Sequence, residues 1–150
     1  MGLYYKSTRN SNLKVTASEA ILKGLAPDGG LFVPSELPKL DVSMSDLKGK
    51  TYQEIAYLVM KQFLTDFTEE ELKHCINSAY DSKFDTEVIA PLVKVGDTYH
   101  LELFHGATIA FKDMALSILP HLMITSARKN QVKNDIVILT ATSGDTGKAA

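Results

Sequence analysis

The turn TSGDTG at residues 142–147 has the residue types best suited to chemistry in this sequence. It follows the β-branched run IVILTA at 136–141, which predicts a central parallel strand, then a tight turn and the start of a helix. Such a turn directs backbone N–H groups and the positive end of a helix dipole at one point, to which Thr142, Ser143 and Thr146 add hydroxyl groups. The turn is therefore a candidate binding site for a carboxylate or a phosphate.

A plainer interpretation of this turn stays open. Gly144 and Gly147 can serve only to permit tight backbone geometry, with Ser143 capping the following helix, because such turns are common in α/β proteins. A nucleotide-binding P-loop is excluded, since that motif needs Gly at position 142 and Ser or Thr at position 149, where this sequence has Thr142 and Ala149.

Lys112 is the second candidate, in the segment HGATIAFKD at 105–113. The segment lies between a predicted hairpin and an apolar helix, so the lysine falls near a helix start, where the positive helix end and partial burial favour a neutral amine. A lysine needs that neutral form to bond covalently to a carbonyl carbon. The alternative is a surface lysine beside Asp113 on an amphipathic helix, which is the commoner situation for a lysine.

The other polar residues favour structural interpretations. His105, next to Gly106, is a candidate catalytic residue, although a loop histidine is more often exposed or makes structural hydrogen bonds. Cys75 falls on the apolar face of a predicted helix, which places it in the core. One cysteine excludes a disulfide framework, and the spacing of the remaining histidines predicts no metal site; these are His74, His100 and His121. A solvated loop is expected for the acidic residues Asp81, Asp85 and Glu87.

Composition restricts the class of protein. The 150 residues include 16 basic and 18 acidic side chains, a net charge of −2, so no basic surface for nucleic acid is indicated. The hydrophobic share of 45% favours a globular fold. The most apolar stretch, 114–127, is too short to span a membrane, and the first ten residues lack the apolar run of a signal peptide. A cytoplasmic protein is expected.

Three capping boxes predict where helices begin. In each, a Thr and a Glu three residues later can exchange hydrogen bonds with backbone amides; the pairs are Thr16 with Glu19, Thr51 with Glu54, and Thr68 with Glu71. They predict a short helix that ends near Gly24 and two longer helices over 51–64 and 69–79, whose apolar residues recur at helical spacing.

The connecting segments carry turn and strand patterns. Three prolines in 26–40 are expected to exclude regular secondary structure there. PLVKV at 91–95 and TYHLELF at 98–104 predict a β-hairpin around Gly-Asp. A helical pattern begins at Phe111, and Pro120 is expected to kink that helix or end it early.

Four segments, in order along the chain, are similar to one family. They are STRN at 7–10, SEAILKGLAPDGGLFVP at 18–34, ELFHGATIAFKD at 102–113 and TATSGDTGKAA at 140–150. Together they resemble the threonine synthases, the pyridoxal-phosphate (PLP) enzymes that end threonine biosynthesis. Ala107 stands where the family usually has proline, a departure that removes no reactive group.

The resemblance implies an α/β fold of the fold-type II PLP enzymes. A mainly helical N-terminal domain is expected at 1–85 and the first part of the PLP-binding catalytic domain at 86–150. Lys112 is implied to hold the cofactor covalently and to act as the catalytic acid and base, with Phe111 and Asp145 near the cofactor. The substrate carboxylate is expected at the loop formed by Ser143, Gly144, Thr146 and Gly147.

The implied reaction converts O-phospho-L-homoserine and water to L-threonine and phosphate. Family members are longer, and no segment here corresponds to the loop that binds the cofactor's phosphate or to the partner of its ring nitrogen. We therefore expect a truncated chain that is inactive by itself and that self-associates through an incomplete sheet. The alternative function is a non-catalytic α/β module that binds a phosphate or carboxylate at TSGDTG; it would have no use for an amine at Lys112.

Overall fold

The computed structural model describes residues 2–150, in which helices alternate with two small antiparallel sheets. The helices are α1 (Ala17–Lys23), α2 (Met44–Leu47), α3 (Tyr52–Phe63), α4 (Glu69–Ala79), α5 (Asp113–Leu116), α6 (Leu119–Lys129) and α7 (Asp145–Ala149). The strands are β1 (Tyr5–Ser7), β2 (Phe32–Pro34), β3 (Leu92–Val95) and β4 (Thr98–Leu101). The predicted α/β class is confirmed.

The three predicted capping boxes are all present and open α1, α3 and α4. At α1, the amide of Glu19 donates to Thr16 Oγ1 at 3.3 Å, and the Glu19 carboxylate accepts from the Thr16 amide at 2.7 Å. The helices predicted over 51–64 and 69–79 are thereby confirmed. A fourth box, Ser43 with Asp46, opens α2 and was not predicted, because Asp replaces the usual Glu or Gln.

The strand predictions are partly confirmed. The hairpin is present as β3 and β4, with Leu92 opposite Leu101 and the turn at Gly96, whose φ of 60° suits glycine. The prediction that prolines exclude regular structure from 26–40 is wrong, because β2 lies in this segment and pairs with β1. Pro34 ends β2 in a two-stranded sheet, a position at which proline is tolerated.

Two predictions in the second half are corrected. Residues 136–141 form no strand, because no described strand lies beside them to accept their backbone hydrogen bonds. Pro120 does not end a helix but lies in the first turn of α6, where its missing N–H costs nothing. The helical pattern is instead divided before Pro120, between α5 and α6.

The core is centred on α4, which packs against α3 and α6. Phe67, just before the α4 cap, and Leu72 on the first turn are both buried, as a hydrophobic staple requires. Cys75 is completely buried, as predicted, with its Sγ 3.3 Å from Thr125 Oγ1, and burial raises the pKa of its thiol. No helix of the described residues is long and apolar enough to cross a membrane.

Tyr80 connects this core to the second half of the chain. Its ring packs edge-on against Tyr52 at 4.8 Å between centroids, and its hydroxyl donates to the Met114 carbonyl at 2.7 Å. Gln53 on α3 donates to the Tyr80 carbonyl at 2.6 Å. The N-terminal helices thus fix the position of α5.

Replacing Leu72 by Ala is expected to lower the free energy of unfolding by about 2–5 kcal/mol, because the side chain is 1% exposed and its loss leaves a cavity. Urea unfolding followed by circular dichroism measures the change. The matched control is Leu37→Ala, at a side chain that is 81% exposed, which we expect to change stability by less than about 0.5 kcal/mol. Equal effects of the two substitutions would contradict the central place of α4.

Candidate active site

The segment 105–113, named here the lysine loop, is closed by one buried carboxylate. Asp113 is 4% exposed and accepts two hydrogen bonds from Thr108. The Thr108 amide donates to Oδ2 and its hydroxyl donates to Oδ1, each at 2.7 Å. Asp113 is also the first residue of α5, so this pair fixes the loop to the helix that follows.

Gly106 lies directly against this carboxylate. A Cβ at this position would collide with the Asp113 side chain, so only glycine fits. Ile109 has a φ of 63°, an uncommon conformation for a β-branched residue that costs about 1–3 kcal/mol, and its amide donates to the Gly106 carbonyl at 3.0 Å. The hydrogen bonds between Thr108 and Asp113, named here the Asp113 lock, therefore hold the loop in a strained conformation.

Lys112 immediately precedes α5 and is half-buried. Its Nζ lies 5.1 Å from the centroid of the Phe111 ring, which is largely exposed. The carbonyl of Lys112 accepts from the Leu116 amide at 2.8 Å, while its Nζ makes no hydrogen bond or ion pair with any of residues 2–150. The main chain of this lysine is thus fixed, whereas its amine has no polar partner among these residues.

The TSGDTG turn does lead into a helix, α7, but its cap differs from the sequence interpretation. Thr142 Oγ1, and not Ser143, accepts the backbone hydrogen bonds, from the Gly144 and Gly147 amides at 3.0 Å each. Two amides expected to face an anion are therefore bonded within the turn. Ser143 and Asp145 are exposed, and Thr146 is half-buried.

One hydrogen bond joins the turn to the lysine loop. Lys148 on α7 donates from Nζ to the Thr108 carbonyl at 2.9 Å. Thr108 is the residue whose amide and hydroxyl bind Asp113, so the two segments share an anchor. No hydrogen bond or ion pair connects Lys112 itself with residues 143–147, all of which the structure describes.

The two N-terminal segments of the resemblance also fold together. Asp28 Oδ1 accepts from the Ser7 hydroxyl at 2.8 Å and from the Gly30 amide at 2.9 Å, and these bonds, with Gly30 the larger cause, lower the pKa of Asp28. Arg9 donates from Nη1 to the Asp28 carbonyl at 3.1 Å. These contacts give STRN and PDGG a structural role that sequence reasoning did not assign.

His105 makes hydrogen bonds that join separate segments, one of the roles that the sequence left open. Its ring lies between the carboxylates of Asp85 and Glu102. Asp85 is therefore not simply solvated, as the sequence suggested. Among the described residues, no group of three or more His, Cys, Asp or Glu side chains is arranged to hold a metal ion.

Comparison with known proteins decides the family. The family model described as threonine synthase N terminus matches residues 4–80. The chain belongs to this family. Threonine synthase from Schizosaccharomyces pombe is 40% identical over 97% of this chain, and human threonine synthase-like 1 is 42% identical over 88%.

Solved structures agree with this assignment. A PLP-bound threonine synthase from Brucella melitensis matches with a TM-score of 0.78 at 33% identity, over 87% of this chain and 28% of that one. The Escherichia coli threonine synthase matches with a TM-score of 0.77 at 29% identity, over 99% of this chain and 33% of that one. The chain spans 30% of the S. pombe relative and 18% of the human one, less than a third of each.

Replacing Gly106 by Ala is expected to lower the free energy of unfolding by about 1–3 kcal/mol, because the added methyl group overlaps the buried Asp113 side chain. Chemical unfolding gives the stability, and the amide resonances of Thr108 and Asp113 report the loop. The adjacent control is Ala107→Ser, at an exposed side chain, for which little change is expected. A Gly106→Ala protein as stable as the parent would show that the lock does not constrain the loop.

Proposed function

We propose that this chain provides the cofactor-binding lysine and the substrate-carboxylate loop of a threonine synthase. That enzyme converts O-phospho-L-homoserine and water to L-threonine and phosphate. The observation that carries the proposal is the bond from Lys148 to Thr108, which joins the TSGDTG turn to the loop that bears the unpaired amine of Lys112. Residues 1–85 would form the N-terminal domain and 86–150 the first part of the catalytic domain; a cytoplasmic location stays a prediction.

The side chains of Lys112 and Phe111 are chemically suited to hold PLP. Lys112 offers a half-buried amine with no hydrogen-bond or ion-pair partner among residues 2–150, and the exposed Phe111 ring beside it offers an apolar face. Asp145 would lie near the cofactor's phenolic oxygen. PLP, when bound, supplies an electron sink that stabilises the carbanions formed as protons leave the substrate's Cα and Cβ.

The chain's own groups would then divide the remaining work. Lys112 Nζ would attach the cofactor and, once released, accept and return protons at the substrate carbons. Ser143 and Thr146 would donate hydrogen bonds to the substrate carboxylate, with Gly144 and Gly147 allowing the close approach of the backbone. The Asp113 lock would keep Lys112 at the start of α5 while the substrate reacts.

The decisive experiment uses a hybrid in which this chain replaces the aligned segment of the S. pombe threonine synthase. Lys112→Ala in the hybrid is expected to abolish both turnover and the absorbance of the lysine-bound cofactor, because it removes the amine proposed to hold the cofactor. Borohydride reduction of the PLP-loaded hybrid followed by peptide mapping should locate the pyridoxyl group on Lys112.

The matched control is Lys39→Ala, which removes an exposed lysine outside the site and should leave turnover and labelling unchanged. A pyridoxyl group on Lys148 or on another lysine would refute the assignment. An active Lys112→Ala hybrid would favour the non-catalytic anion-binding role for this part of the chain.

The 150-residue chain by itself is expected to release no phosphate from O-phosphohomoserine when PLP is added. We also expect it to self-associate, because Leu92, Tyr99 and Leu101 are exposed on one face of the β3–β4 hairpin and no other strand within residues 2–150 pairs with either of its edges. Light scattering measures association, and a phosphate assay measures turnover.

Leu101→Glu should reduce the association, since it places a charge on that face opposite Leu92. Leu37→Glu, at an exposed leucine outside the hairpin, is the control and should not. A monomeric chain with phosphate release that depends on Lys112 would contradict both expectations.

A further inference from the structure

His105 connects three segments of the chain at the beginning of the lysine loop. Its Nδ1 is 2.5 Å from Asp85 Oδ1, in the loop that follows α4, and its Nε2 is 2.8 Å from Glu102 Oε2, just after β4. The Asp85 amide also donates to the His105 carbonyl at 3.0 Å. The residue is therefore bound through its side chain and its main chain.

The charge of this group follows from its bonds. An ionised carboxylate only accepts hydrogen bonds, so bonding to two ionised carboxylates at once requires a proton on each ring nitrogen, which is the imidazolium form. The side chain is 15% exposed and stacks on Phe104 at 4.6 Å between ring centroids. No lysine or arginine within residues 2–150 forms an ion pair with Asp85 or Glu102, so His105 is the cation that both carboxylates share.

The lysine loop is consequently held at both ends. At the C-terminal end of the loop, the Asp113 carboxylate accepts hydrogen bonds from Thr108 and packs against Gly106. At its beginning, His105 is the residue next to Gly106 and is fixed by Asp85 and Glu102. Lys112 lies between these two fixed points and one residue from the second.

We propose that His105, shared as an imidazolium by Glu102 and Asp85, is a positioning residue that fixes the lysine loop and so sets the orientation in which Lys112 presents its amine. The inference rests on the function proposed above for Lys112. It adds that the geometry of the amine depends on the protonation of a histidine that does not itself touch the reacting groups.

The proton on His105 makes the stabilisation from its hydrogen bonds with Glu102 and Asp85 dependent on pH. Its hydrogen bonds with Glu102, and then with Asp85, raise the pKa of His105 above the ordinary value of about 6.5. These hydrogen bonds contribute their full stabilisation below the unfolded-state pKa of His105 and lose it as the pH rises through the higher folded-state pKa. A neutral ring can donate at only one nitrogen, so one carboxylate must then be released.

The test follows the imidazole ring and the loop amides of the 150-residue chain by NMR between pH 5 and pH 9, a range that brackets the ordinary histidine pKa of about 6.5. Hydrogen-exchange protection of the Gly106–Asp113 amides, corrected for intrinsic pH dependence, should fall with the midpoint at which His105 loses its proton. Glu102→Gln should lower that midpoint, because it removes the largest cause of the raised His105 pKa, and it should lower the protection with it. Asp85→Asn, at a carboxylate largely exposed to solvent, is the second variant should Glu102→Gln fail to fold.

Glu87→Gln is the matched control, because Glu87 lies in the same loop as Asp85, is exposed and makes no hydrogen bond or ion pair with any described residue. It should change neither the His105 midpoint nor the loop protection. Protection that does not follow the His105 titration, or that responds equally to Glu87→Gln, would overturn the proposal.

A second measurement separates this proposal from the function of Lys112. In the S. pombe hybrid, the share of borohydride-trapped pyridoxyl on Lys112 should decrease as the pH rises. The pH at which it decreases should be lower in Glu102→Gln than in the parent. If the label never favours Lys112, the proposed function fails, and the loop protection in the cofactor-free chain still decides the role of His105. If the label favours Lys112 with the same pH profile in both proteins, the positioning role is refuted.

Discussion

The two hydrogen bonds that Thr108 donates to the buried Asp113 carboxylate are the constraint on which the candidate site depends. A buried carboxylate left without donors is costly, so the chain must keep Thr108 close to the start of α5. That requirement bends residues 106–113 into a tight loop and places Ile109 in a strained conformation. It also explains why glycine is needed at position 106.

This local constraint is connected to the N-terminal core through Tyr80. The tyrosine is buried at the end of α4, contacts Tyr52 on α3 and donates to a main-chain carbonyl on α5. Because Tyr80 follows α4, whose buried side chains belong to the main core cluster, the position of α5 is coupled to the part of the chain that matches the family model. The N-terminal half thus helps to position the candidate lysine, which belongs to the second half.

Features that depend on neighbouring residues in the sequence could be predicted, and features that depend on distant partners could not. The caps at Thr16, Thr51 and Thr68 need only residues three positions apart, and all three are present. The pairing of β1 with β2 joins segments more than twenty residues apart, and nothing in the local pattern indicated it. The hydrogen bonds from Thr108 to Asp113 are also local, but they join residues five positions apart and match no capping box, so they were not predicted.

The run IVILTA at 136–141 shows the other limit. β-branched residues favour a strand only where other strands provide hydrogen-bond partners, and here the side chains of Val137 and Leu139 are exposed. The lysine loop does not share this dependence, since its hydrogen bonds are made within the loop, with His105 and Tyr80 adding contacts to neighbouring elements. In a site made of these two segments, one half, the lysine loop, would therefore be held in its conformation by short-range hydrogen bonds. The other half, the TSGDTG turn, follows a segment that forms no strand here, and the bond from Lys148 to Thr108 joins it to the lysine loop.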